Sequence, residues 1–118
     1  MEVDVYDGDA LVAVSYFDVG AAATSSVYCM WKPAWRWYEL GKFTLLKEIE
    51  WAIQAGMKYH YTGYGHLVRS VYDYKLEFGP FEWLEIAEID EGWSDENSFR
   101  VRRAEEMELT AEEYEGVY

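Results

Sequence analysis

The chain has 118 residues and a mass of 13.9 kDa, the size of one domain. That is enough for a core and too little for a cofactor domain beside a substrate domain. Aromatics make up 19 %, with 6 Trp and 11 Tyr, which excludes a largely disordered chain. The 10 Lys and Arg against 23 Asp and Glu leave a net charge of −13, a field that repels nucleic-acid phosphates.

The charge is uneven. Residues 1–84 carry 11 acidic and 7 basic groups, while residues 85–118 carry 12 acidic and 3 basic ones. An acidic tail of this kind is a solvated face or a docking segment for a basic partner. No apolar run is long enough for a membrane span, and the start Met1-Glu2-Val3-Asp4 does not read as a secretory signal. One cysteine, Cys29, excludes an internal disulfide and a cysteine-built metal cage. The expected compartment is the cytoplasm.

In chain order, the first predicted element is the run 9–18 (DALVAVSYFD), apolar on both parities as an interior strand is. Small residues at 20–24 suggest a turn, and 26–31 (SVYCMW) a second strand, giving a hairpin of 11–17 with 26–31. Pro33 ends that strand because it has no N–H to donate. The run 40–56 is the clearest helix. Phe43, Leu46, Ile49 and Ile53 form its expected core stripe, widened by Leu45 and Ala52, and Gly56 suits the left-handed position after its last turn.

A short strand is expected at 58–61, then a short helix at 66–72, an extended 75–78 and a turn at Gly79-Pro80. A last strand is expected over 81–89 and a weakly anchored helix over 105–114. The major helix between strands 26–31 and 58–61 has room for a parallel crossover. The expected fold is thus α/β (α+β), with residues 1–90 forming the domain and 91–118 an acidic tail, partly helical or flexible.

At this point the residues resemble a known family. Leu11-Val12-Ala13-Val14 with Asp18-Val19, Ser26-Val27-Tyr28 leading to Trp31-Lys32-Pro33, Leu40-Gly41, Tyr61-Thr62-Gly63-Tyr64, Tyr74-Lys75 and Pro80 recur in the order seen in the C-terminal domain of arginyl-tRNA–protein transferases, including their bacterial leucyl-transferring relatives. The resemblance implies a fold similar to GNAT-type acyltransferases. It implies transfer of an amino acid from charged tRNA to the α-amine of an acceptor protein or peptide, often at Asp or Glu. Charged tRNA is then the co-substrate, and no cofactor is implied. The family's cysteine-cluster domain has no counterpart here, Lys32 stands where the family has Asp, Thr62 where it has Leu, and Tyr72 where it has Met.

On this resemblance Tyr61, Gly63, Tyr64 and Lys75 are the candidate catalytic residues. Trp31, Pro33, Leu40, Gly41 and Tyr74 are the candidate substrate-binding ones. Each has a plainer alternative. Leu40-Gly41 either offers free helix-end N–H groups to an anion or merely permits a tight turn. Tyr61, Gly63 and Tyr64 either line a cleft, with backbone amides facing the transferred carbonyl, or form a bulge with two core aromatics. Lys75 either holds a carboxylate or phosphate or is an edge-strand surface lysine. Trp31, Trp35, Trp37 and Tyr38 either stack an adenine, anchor a partner protein, or pack. His66 could accept the amine proton, but His60 and His66 read best as ordinary histidines, and no metal is expected. The rival to an enzyme is a GNAT-like binding module that has lost catalysis and docks a partner through the Trp-rich loop or the acidic tail. A coenzyme-A enzyme is disfavoured, since the loop before the major helix lacks the glycines.

Overall fold

The computed structural model describes residues 1–115 and divides into two units, Met1–Tyr64 and Gly65–Tyr118. The first is a four-stranded mixed sheet in the order β1-β2-β3-β4, with one helix packed on it. Its strands are β1 (Glu2–Asp7), β2 (Ala10–Val19), β3 (Ala23–Trp31) and β4 (Tyr59–Tyr61), and its helix is α1 (Leu40–Gln54).

The predicted hairpin is present. β2 and β3 run antiparallel around residues 20–22, and β2 is interior, flanked by β1 and β3. The predicted crossover is present too, since β4 pairs parallel to β3 through Ala23–Tyr59, Thr24–His60 and Ser25–Tyr61. β1 was not expected. It alternates acidic Glu2 and Asp4 with Val3 and Val5, and pairs antiparallel with β2.

α1 ends as its glycine suggests. Gly56 has φ 72°, its N–H bonds to the Ile53 carbonyl at 3.1 Å, and the Met57 N–H reaches the Ala52 carbonyl at 2.9 Å. This double closure satisfies the last carbonyls of the helix.

The face that α1 buries is only partly the predicted one: Leu45 and Ala52 are buried as expected, and the rest of the stripe is not. Leu40, Gly41, Thr44, Leu45, Glu48 and Ala52 are buried, whereas Phe43, Leu46 and Ile53 are exposed. Small and polar side chains at 41, 44, 48 and 52 lie on the sheet side of the helix, where Thr44 meets Cys29 and Glu48 meets Ser26. Phe43, Leu46 and Ile53 are thereby turned outward. The apolar part of this interface sits at the amino end of α1, where Leu40 packs with Val12 and Ala13 against Val5 and Trp35, and around Phe17, which meets Trp51 edge-on at 5.3 Å.

In the second unit, β5 (Glu82–Trp83) pairs antiparallel with β6 (Ser94–Asp95), and α2 (Glu96–Glu115) packs on both. Phe99 is its buried anchor, edge-on to Phe81 at 5.5 Å and to Trp83 at 5.3 Å. Three arginines of α2 are spent internally. Arg103 donates to Asp73 at 2.7 Å, Arg100 to the Leu76 carbonyl at 3.0 Å, and Arg102 to Glu106 at 2.8 Å.

Several expectations fail in this unit. Residues 66–72 are not a helix, and the expected extended 75–78 lies largely in a 3-10 helix, Asp73–Glu77. These segments are held by side chains from α2 rather than by a ladder of their own. The expected strand 81–89 shrinks to Glu82–Trp83, then turns into a 3-10 helix, Ile86–Glu91. Ile86 and Ile89 recur at period three, the repeat of that helix, and both are exposed. α2 begins nine residues before the expected 105, because Asp95 caps it, its Oδ1 accepting the Ser98 N–H at 2.8 Å. No helix among the described residues is long and apolar enough to cross a membrane.

Candidate functional site

Pairing between β3 and β4 stops after Ser25–Tyr61. From residue 26 to 31, β3 has no strand partner on that side among the described residues, because β4 ends at Tyr61. A register shift between Tyr16 and Phe17 sets Phe17 opposite Ser26 and Tyr16 opposite Tyr28, leaving Val27 as the extra residue. Such a bulge resets which parity faces the helix. Thr24 and Ser26 face α1 before it and Cys29 after it, since Ser26 contacts Glu48 and Cys29 contacts Thr44. The unpaired edge therefore runs alongside α1 from the level of Glu48 to that of Thr44, toward the amino end of the helix.

Under the point of parting lies a buried polar cluster. Ser26 Oγ donates to Glu48 Oε2. His60 Nε2 lies 3.1 Å from Ser26 Oγ and 3.5 Å from Glu48 Oε2, and His60 Nδ1 lies 2.7 Å from Thr24 Oγ1. Glu48 is 2 % exposed and Thr24 1 %. One assignment satisfies these contacts: a neutral imidazole with its proton on Nε2, donating toward Ser26, while the Thr24 hydroxyl donates to Nδ1. Burial supports it, because desolvation pushes the His60 pKa below its usual value. The Ser26 hydroxyl thus stands between a carboxylate and an imidazole, an arrangement that can accept and pass on a proton.

Cys29 shares this interior. Burial raises its pKa, the hydrogen bond to Thr44 opposes that, and the charge of Glu48 adds to it, so the thiol is held protonated and unreactive. Ser15, opposite Cys29 in the ladder, is 1 % exposed, and its Oγ has no hydrogen-bond partner. Sequence reasoning missed Glu48 and passed over His60. The available signal was a glutamate on the small-residue face of the helix, in register with a threonine–serine strand.

The residues singled out from sequence fall in both units. Tyr61 ends β4, and Gly63 follows with φ 94°, a conformation that favours glycine. Tyr61 and Tyr64 are 43 % and 74 % exposed, so they are not core aromatics. Trp31 closes β3 and is exposed, and Pro33 opens a 3-10 helix, Pro33–Tyr38. Leu40 is a core residue and Gly41 is buried in the first turn of α1, whose N-cap, Glu39, makes no side-chain capping bond.

The aromatic loop divides. Trp35 turns toward the core, while Trp37, beneath the Arg36 guanidinium at 4.9 Å, is 79 % exposed. The 3-10 turn of Pro33–Tyr38 separates the two tryptophans. In the second unit, Tyr74 and Lys75 lie half-buried in the 3-10 helix, and Lys75 Nζ sits 5.2 Å over the Tyr72 ring. Lys75 is therefore not an edge-strand lysine. His66 stacks on Tyr72 at 5.9 Å.

Comparison with known proteins fixes the family. The profile described as arginine-tRNA-protein transferase, C terminus, matches residues 1–85. The chain belongs to this family. An aspartate/glutamate leucyltransferase of Campylobacter jejuni is 36 % identical over 83 residues, covering 70 % of this chain and 35 % of the relative. A leucyltransferase of the same name from Brucella suis is 38 % identical over 78 residues, covering 66 % and 31 %. Arginyl-tRNA–protein transferase 1 of Arabidopsis thaliana is 34 % identical over 79 residues, covering 63 % and 12 %. This family member thus spans about a third of the bacterial relatives it matches. No solved structure matches it. The matched segment contains all four strands of the first unit, α1, and Ser26, Glu48 and His60.

Proposed function

We propose that this chain is an aminoacyl-transfer domain, moving an amino acid from charged tRNA to the α-amine of an acceptor polypeptide. The supporting observation is the parting of β3 from β4 after Ser25–Tyr61, within a segment that belongs to a tRNA-dependent transferase family. In this reading the unpaired edge of β3 gives the acyl group a backbone to lie against, with a GNAT-like architecture around it. Tyr61, Gly63, Tyr64 and Trp31 border that edge, and Gly41 opens the helix beside it. The relatives' names point to leucine or arginine as the donor residue and to Asp or Glu at the acceptor N-terminus. The reaction is amide formation from an activated ester, requires no cofactor, and belongs in the cytoplasm, where charged tRNA is made.

The test is transfer itself. Purified chain is incubated with leucyl- or arginyl-tRNA and a peptide beginning with Asp, and the peptide is weighed. Gain of one leucyl or arginyl residue supports the proposal. No gain from either donor, with a full-length relative active in parallel, refutes it.

A second reading has one observation in its favour. The sheet face away from α1 exposes Tyr16, Tyr28 and Met30, neighbours across the β2–β3 ladder. A binding module would use such a face. A free monomer in native mass measurements of cell extract would count against that reading.

A further inference from the structure

We propose that Ser26 is the residue that takes the proton from the attacking acceptor amine and passes it to Glu48, with His60 positioning both. This inference deepens the aminoacyl-transfer reading and rests on it. Its basis is placement. Ser26 is the residue directly after the last β3–β4 pair, so its hydroxyl lies where the unpaired edge begins. That hydroxyl is half-buried and donates to Glu48, which lies on the opposite wall, on α1. His60, from β4, closes the third side, 3.1 Å from Ser26 and 3.5 Å from Glu48, and is itself fixed by Thr24 at 2.7 Å. Three elements thus supply one serine oxygen with a proton acceptor and a donor.

A network of this kind is costly in an interface that could have been apolar, because each buried polar atom needs its partner. At α1 the helix turns Phe43, Leu46 and Ile53 outward and keeps Thr44 and Glu48 inside. Beside the apolar Leu40, Leu45 and Ala52 of the same buried face, stability alone does not call for a buried carboxylate.

The step balances. The amine nitrogen forms a bond to the acyl carbon as its N–H proton moves to Ser26 Oγ and the serine proton moves to Glu48. The ester C–O bond then breaks, its electron pair staying on the ribose oxygen. Glu48 returns the proton through Ser26 to that oxygen. No oxidant, reductant or further reactant is consumed. The titratable groups facing the Ser26 hydroxyl are Glu48 from α1 and His60 from β4, and Cys29 lies on its own strand.

Two measurements on the full chain test this, one of them independent of turnover. In NMR, a peptide with a free Asp N-terminus should shift the Ser26 and His60 ring signals, and the N-acetylated peptide should not. Ser26→Ala should abolish the His60 response. In the transfer assay, Glu48→Gln keeps the hydrogen bond from Ser26 but cannot take a proton. It should lower kcat at least tenfold, leave the peptide KM within twofold, and change the pH profile, with an unchanged melting temperature confirming the fold. Absence of the free-amine shift, or a Glu48→Gln variant with wild-type kcat and pH profile, overturns the inference. If wild-type chain transfers nothing but the free-amine shift is present, the amine site stands and the proposed reaction falls. If it transfers with no such shift, the reverse holds.

Discussion

The orientation of α1 yields a paired prediction. Leu45 is 4 % exposed and Ile53 71 %, although both lie on the stripe that the sequence pattern assigns to the core. Leu45→Ala removes the equivalent of three buried carbons, roughly 2.4 kcal/mol of transfer free energy at about 0.8 kcal/mol each. Incomplete collapse of the site adds a cavity cost, for a total of about 3 kcal/mol. Ile53→Ala removes mostly hydrated surface. At about three tenths of the burial its transfer cost is about 0.7 kcal/mol, partly offset by the better helix propensity of alanine. Urea titrations followed by circular dichroism should thus show a lower midpoint with unchanged slope for Leu45→Ala, and a midpoint near wild type for Ile53→Ala. In thermal melts the first change should lower Tm by more than about 10 °C and the second by less than about 4 °C. Equal losses, or a larger loss for Ile53→Ala, would mean that α1 packs through its apolar stripe, and the cluster around Glu48 would then not be buried.

Other expectations follow from the same structure. His60 has a folded-state pKa below its usual 6.5, so the unfolded chain binds its proton first as pH falls. Its contribution is fully present above 6.5 and declines from there toward the depressed folded value. His60→Gln should flatten that part of the stability profile. Cys29 titrates above its usual 9.0, so alkylation of the folded chain at neutral pH should be far slower than in urea, and equal rates would contradict its burial. Phe99→Ala, at a site 3 % exposed between two aromatic rings, should cost about 3–5 kcal/mol in the second unit, read by loss of hydrogen-exchange protection in α2.

The sequence showed the framework because its signals there were consistent. The run 9–18 was apolar on both parities and became the interior strand, and Gly56 marked the end of α1. Between them, the long helix had only one simple way to join two strands of one sheet. The acidic–apolar alternation of β1 is a period-two signal, but six residues with acidic groups on one face pattern equally as an exposed terminus. In the second unit only part of α2 and of β5 was legible, for a different reason. Its segments between residues 68 and 83 are held by Arg100, Arg103 and Phe99 of α2, and such tertiary contacts leave no periodic trace.

The candidate site was partly legible. The short strand that ends at Tyr61, beside β3, was expected at 58–61. Glu48 was not, because a hydrophobic-stripe argument assumes that the buried face of a helix is its apolar one. Here the face next to the sheet carries Thr44 and Glu48 instead. Departures from local consistency of this kind concentrate where a protein does chemistry.

The most direct test of the central claim is the weight of an Asp-initiated peptide after incubation with this chain and aminoacyl-tRNA. An increase of one leucine or one arginine, lost in Ser26→Ala, is the predicted result. An unchanged peptide from both donors, beside an active full-length leucyltransferase, would contradict it.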